Sequence, residues 1–118
     1  MENQNSKQYD LGDRTLKFAK RVVAYVNKLS RTVAGIEMGK QLMRSAGSVG
    51  ANYIEAEEAL SRKDFAMRIK ISRKEAKESK YWLILSEPLE EQKQERDLLV
   101  QEALELTKIF GAIVEKSK

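Results

Sequence analysis

The sequence predicts an all-α protein, an antiparallel up-down-up-down four-helix bundle. Apolar residues recur every three or four positions in four long segments, the pattern of helices that each turn one face to a core. Only six glycines and one proline occur in 118 residues, so these segments are rarely interrupted. No segment alternates polar and apolar residues as a half-buried strand does. The connections are short, which forces successive helices to run antiparallel.

The first helix is predicted from about Asp13 to Ser30, with Asp13 as its N-cap. The run Val33–Gly35 should then break the chain, and the second helix should run from about Ile36 to Leu60. The core face of the first helix is expected to centre on Leu16, Ala19, Val23 and Val26, flanked by Val22, Tyr25 and Leu29.

The third helix is predicted from about Lys63 to Ser86, ended by Pro88, and the fourth from about Leu89 to Glu115. Ser61, with an acid three residues later, is a candidate N-cap. The core seam of the third helix is expected at Phe65, Ile69, Ser72, Ala76, Ser79 and Leu83, and that of the fourth at Leu99, Ala103, Leu106, Phe110 and Ile113. We expect residues 1–10 to be a frayed leader and residues 11–118 to form one domain.

The middle of the second helix, Ser45–Ala51, carries almost no bulky side chain. Each glycine inside a helix costs about 0.5–1 kcal/mol relative to alanine, so Gly47 and Gly50 need a reason. Close approach of another helix backbone is the preferred explanation. The alternative is a kink or a break into two helices.

Composition argues against an enzyme. The chain has no cysteine and no histidine, which removes thiolate chemistry, the usual zinc ligands and the commonest general base. We therefore predict no cofactor and no metal site. The remaining alternative is a magnesium site at the carboxylate pairs Glu55–Glu58 and Glu75–Glu78, but salt bridges to nearby cations are the preferred interpretation.

No apolar run approaches the roughly 20 residues that a bilayer span needs, and Met1–Asp10 lacks the apolar core of a signal peptide. The sequence thus predicts no membrane association and a cytoplasmic location.

Charge is sorted by helix. The first and third helices are strongly basic, whereas the second and fourth are acidic. Alternating signs would let neighbouring helices attract, although exposed pairs give only about 0.2–1 kcal/mol each. A basic surface could also meet an acidic helix of another subunit. The third interpretation is a surface for RNA or DNA, with the candidate contacts Lys17, Lys20, Arg21, Arg62, Lys63, Arg68, Lys70, Arg73, Lys74, Lys77 and Lys80.

Three runs carry a family resemblance: Arg44–Ala56, Ser61–Phe65 and Arg73–Leu83. They resemble the bacterial four-helix-bundle family named for proteins encoded in intervening sequences of 23S ribosomal RNA genes, formerly called ribosomal protein S23. Accessory proteins of diversity-generating retroelements look like distant relatives. The matching motif residues are Arg44, Ser45, Gly47, Gly50, Ala51, Asn52 and Glu55 in the second helix, and Ser61, Lys63, Asp64 and Phe65 at the start of the third.

The resemblance implies a ring assembly, typically a homopentamer, and a nucleic-acid or protein partner for the basic surface. Apart from the resemblance, Asn52 and Glu55 are expected to join a polar network with Arg44 or with lysines that fixes helix register. Tyr81 and Trp82 are expected in the core or at a subunit interface, rather than as a platform for stacked bases.

The functional prediction is a non-enzymatic oligomeric binding protein that contacts the RNA or DNA backbone through its basic first and third helices. The alternative is a protein-interaction or scaffolding ring without a nucleic-acid role, in which charge sorting serves subunit assembly.

Overall fold

The computed structural model describes residues 10–118, and this part of the chain contains four α-helices, as predicted. No strand occurs in this part of the chain. Consecutive helices pack against each other and the last returns to the first, so the first and third lie at diagonal corners. The helices are α1 (Leu11–Val26), α2 (Val33–Glu57), α3 (Arg62–Leu85) and α4 (Lys93–Lys116), and a short 3-10 turn (Glu90–Gln92) precedes α4.

The start of α1 is set by Asp10. Its Oδ1 accepts a hydrogen bond of 3.1 Å from the backbone N–H of Asp13, so Asp13 lies in the first turn and the prediction that it caps the helix was wrong. Asp10 is thus part of the helix start rather than of a frayed leader, while the rest of that predicted leader lies outside the described residues. The helix also ends four residues earlier than Ser30, at Val26.

Side-chain caps likewise begin α2 and α3. The Thr32 hydroxyl accepts from the Gly35 N–H at 3.0 Å, so Val33–Gly35 is the first turn of α2 and not the predicted break. The Ser61 hydroxyl accepts from the Asp64 N–H at 3.0 Å, as predicted. The helix α2 continues without interruption through its glycines, which rules out the alternative of two shorter helices.

The core confirms the seam predicted for α3 and corrects the one predicted for α1. Leu16 and Val23 are 54% and 44% exposed, while Phe18, Val22 and Tyr25 are buried. This rotation of α1 places two aromatic rings in the interior, which removes more apolar area from water. The other large side chains that are almost completely inaccessible to solvent are Leu42, Val49, Ile69, Leu83, Leu99, Leu106 and Phe110.

The two glycines of α2 differ in their surroundings. A Cβ on Gly50 would lie 2.9 Å from Oγ1 of the buried Thr15, so this glycine allows close approach, and the neighbour is α1. A Cβ on Gly47 would meet nothing within 4 Å. The close-approach explanation therefore holds for Gly50 and is wrong for Gly47 within this chain, because Gly47 lies on the outer face of α2.

Candidate nucleic-acid interface

Buried serines hold α2 and α3 close together. The Ser72 hydroxyl donates to the backbone carbonyl of Val49 at 2.9 Å, and the Ser45 and Ser79 hydroxyls lie 2.9 Å apart across the same interface. All three serines are fully buried. A larger side chain at any of these positions would push the helices apart, which explains why small residues cluster here.

Polar motif residues extend this interface toward the surface. Asn52 accepts from Arg68 at 3.0 Å through its side-chain oxygen, and Arg44 donates to Glu78 at 2.5 Å. The predicted polar network therefore exists, but Asn52 binds Arg68 rather than Arg44. Glu55, also expected in the network, is exposed and forms no salt bridge with another described residue. Arg68 is consequently occupied in pairing the two helices.

Two carboxylates of α3, those of Glu75 and Glu78, face Arg44 on α2. Glu78 Oε2 also accepts from the Trp82 indole N–H at 3.1 Å, and the hydrogen bonds from Trp82 and from Arg44 lower the pKa of the Glu78 carboxyl. Glu75 Oε1 lies 3.4 Å from the same guanidinium. Within residues 10–118, no three acidic side chains come together as metal ligands, so the two predicted carboxylate pairs do not form a joint site.

The basic residues of α1 are partly neutralised by α4. Arg14 donates two hydrogen bonds to Glu102, at 2.7 and 2.9 Å, and Arg21 donates two to Glu95, at 3.0 and 3.2 Å. The bond to Glu102 raises the pKa of the Arg14 guanidinium. Attraction between helices of opposite charge therefore accounts for part of the charge sorting. Of the predicted contacts on α1, Arg21 is paired, while Lys17 and Lys20 are exposed.

The side of α3 opposite its core seam carries an exposed row, which we call the outer stripe. Its members recur every three or four residues and therefore share one helix face. From the first to the last, the row covers about 27 Å along the helix axis. The outer stripe consists of Lys63, Met67, Lys70, Lys74, Lys77 and Tyr81, all of them exposed.

The four lysines of the outer stripe form no salt bridge with any other described residue. The remaining predicted contacts on α3 lie elsewhere on the helix. Arg73 runs alongside α4, where a Cβ on Gly111 would lie 3.7 Å from its Cδ. Lys80, two turns further along, is partly buried, and Arg62 is exposed at the first turn. The lysines of the outer stripe thus form a row of cations on one helix face.

The outer faces of α1 and α3 do not join. Because these helices occupy diagonal corners, each packs on α2 and α4 and turns its exposed side away from the other. Lys17 and Lys20 therefore lie on a different side of the bundle from the outer stripe. One chain does not present both predicted basic helices to a ligand as one continuous surface.

Tyr81 is the aromatic member of the outer stripe, and its side chain is 59% exposed. Its ring lies 5.1 Å from that of Trp82 at an interplanar angle of 76°, while Trp82 packs against the core. The prediction for Trp82 is confirmed, but Tyr81 is not part of the core of this chain. Sequence reasoning missed the membership of Met67 and Tyr81 in this row, although their spacing from the lysines is visible in the sequence.

A profile of the family described as "23S rRNA-intervening sequence protein" matches residues 7–112. The chain belongs to this family. The chain is similar to a protein of unknown function from the S23 ribosomal protein family of Bacteroides thetaiotaomicron VPI-5482, whose crystal structure is known. The two sequences are 34% identical, and the two structures superpose with a TM-score of 0.74. The alignment covers 87% of this chain and 96% of that one. No curated protein gives a significant match. Among the described helices, none has a stretch long and apolar enough to cross a membrane.

Proposed function

We propose that this member of the 23S rRNA-intervening sequence protein family is a non-enzymatic, oligomeric binding protein that contacts the RNA or DNA backbone through α3. The observation that carries the proposal is the row of exposed lysines on the outer stripe, without carboxylate partners among the described residues. Lys70, Lys74 and Lys77 follow each other by about 4.5–6 Å along the axis. Such a row suits a ligand whose negative charges repeat along a line.

Of the two basic helices that the sequence predicts as the binding surface, α3 alone carries the proposed contacts. Arg21 and Arg14 on α1 are bound to glutamates of α4, which reduces the positive potential of that face. Glu75 and Glu78 on α3 form salt bridges with Arg44 of α2. Excess positive charge is therefore concentrated on the outer face of α3.

The test is a salt titration of oligonucleotide binding, followed by fluorescence anisotropy. The logarithm of the association constant falls linearly with the logarithm of the salt concentration. In the variant K70Q/K74Q/K77Q, loss of three phosphate contacts should make this slope less steep by about 2 for a single strand. The matched control K28Q/K40Q/K108Q removes the same charge from exposed lysines elsewhere and should keep the wild-type slope. Equal losses in both variants would show that only net charge matters and would refute the proposal.

A second candidate, a protein-interaction or scaffolding ring, is favoured by the outer face of α2. Gly47, Ala51 and Ile54 are exposed there, and this small, partly apolar surface would let another helix pack closely. If this surface is an interface, Ala51→Glu should lower the subunit number measured by light scattering. The control Gln101→Glu, at an exposed position of α4, should leave the subunit number unchanged. An unchanged subunit number in both variants would count against this surface as an interface. The pentamer implied by the family resemblance is the assembly state we propose.

A further inference from the structure

We infer that the outer stripe of α3 takes a single-stranded nucleic acid, with one unstacked base lying on the ring of Tyr81. This inference rests on the proposed function, since it names the class of nucleic acid that the same lysines would hold. Tyr81 is the last residue of the outer stripe. Lys77 and Lys74 precede it by one and two helical turns on the same exposed face, so a strand held by these lysines would pass the ring.

The Tyr81 ring is held in place by the ring of Trp82, which packs against the core. It meets the Trp82 ring at an interplanar angle of 76°, with 5.1 Å between centroids. Trp82 packs against the core, and its indole N–H donates to Glu78, which in turn accepts from Arg44. An aromatic ring that is braced in this way loses little conformational entropy when a base stacks on it.

An exposed aromatic ring in a line of cations distinguishes a single strand from a duplex. In a duplex the bases are already stacked on each other, so a surface tyrosine has no free base to contact, whereas every base of a single strand offers its π-face. Met67, also exposed, borders a shallow and mainly apolar concavity of about 480 Å³ near the start of α3. It lies about 21 Å from Tyr81 along the axis and gives the strand a second apolar contact.

The experiment compares a fluorescein-labelled oligo-uridine of about 12 nucleotides, within the range of known single-strand sites, with a duplex of the same length. Tyr81→Ala should weaken single-strand binding roughly 5- to 100-fold and leave duplex binding unchanged. Tyr81→Phe should keep single-strand binding, and Tyr81→Leu should lose it, because stacking needs a ring. Ile84→Ala, which removes another exposed side chain one turn further along, is the matched control and should have no effect.

Trp82, the one tryptophan of the sequence, gives a second readout, because a base on the adjacent ring should change its fluorescence in the wild type and less in Tyr81→Ala. If K70Q/K74Q/K77Q loses binding while Tyr81→Ala behaves as the wild type, or if the duplex binds as tightly as the single strand, the inference is overturned and the proposed function stands. If the lysine variant binds normally, both are overturned. A wild type that binds neither probe, with a changed subunit number in Tyr81→Ala, would make the stripe a protein interface and refute both.

Discussion

The hydroxyl of Ser72 on α3 donates a 2.9 Å hydrogen bond to the backbone carbonyl of Val49 on α2. A side chain of one helix can reach the backbone of another only where the two lie unusually close. Both residues are fully buried, so the bond is shielded from water. The contact explains the small residues of the motif as determinants of helix pairing, and the opposite face of α3 is exposed.

Replacing Ser72 should therefore destabilise the bundle in a size-dependent way. Ser72→Ala removes the bond and should lower the free energy of unfolding by about 1 kcal/mol. Ser72→Leu also forces bulk between two closely packed helices and should cost more, about 1–3 kcal/mol beyond that. Urea unfolding followed by circular dichroism measures both. Lys74→Ala on the exposed face of the same helix is the control, and a comparable loss there would argue against the explanation.

The glycines of α2 should respond to alanine with opposite signs. Gly47→Ala meets open space, so the gain in helix propensity should raise the free energy of unfolding by about 0.5–1 kcal/mol. Gly50→Ala would place a methyl group 2.9 Å from the Thr15 hydroxyl oxygen and should be destabilising. Denaturant unfolding measures both variants. Each is the control for the other, because both replace a glycine of α2 by alanine and differ only in what the added methyl group meets. If Gly47 packs against another subunit, its variant will instead lower the unfolding midpoint, and the midpoint will depend on protein concentration.

The ion pair between Arg14 and Glu102 should contribute a small, measurable coupling. Both side chains are partly exposed, so a double-mutant cycle with Arg14→Ala and Glu102→Ala should give about 0.5–1 kcal/mol, decreasing at high salt. The same cycle on Lys17 and Glu102, which form no salt bridge, should give nothing measurable. A coupling near zero for the first pair would mean that charge sorting does not stabilise the packing of α1 on α4.

Glu78 should link stability to acid pH. Hydrogen bonds from Trp82 and Arg44 lower its pKa below the ordinary value of 4.5, so its contribution to stability is present above that value and is lost as pH falls through the lowered pKa of the folded state. Glu78→Gln should therefore cost about 0.5–1 kcal/mol at neutral pH, and progressively less as the solution is acidified. Thermal unfolding of both proteins from pH 7 to pH 3 measures this, and a pH-independent difference would contradict it.

The sequence predicts more of this fold than of its surface. The seam of α3 was predictable because Phe65, Ile69, Ser72, Ala76, Ser79 and Leu83 keep an unbroken spacing of four and three residues. Ser61 was predictable because its cap chemistry is local. The rotation of α1 about its axis was not predictable, since apolar residues occupy more than one side of that helix. Only tertiary packing decides that Phe18 is buried and Leu16 is exposed. The partners Arg68 and Glu102 depend on how the helices are rotated and staggered, which a single sequence does not specify.

The candidate surface, too, was predictable from the sequence only in part. Its lysines were visible in the composition of α3, but the separation from α1 follows from diagonal packing, and the exposure of Tyr81 follows from the direction in which α3 turns its core seam. Both are properties of the assembled bundle.

Lysine footprinting shows which lysines contact a bound nucleic acid. The protein is acetylated with and without a single-stranded oligo-uridine, and the modification of each lysine is read by mass spectrometry. RNA should protect Lys63, Lys70, Lys74 and Lys77 from acetylation and leave Lys17 and Lys20 reactive. Protection confined to Lys17 and Lys20, or reactivity that RNA does not change at any of these lysines, would contradict the proposed binding through α3.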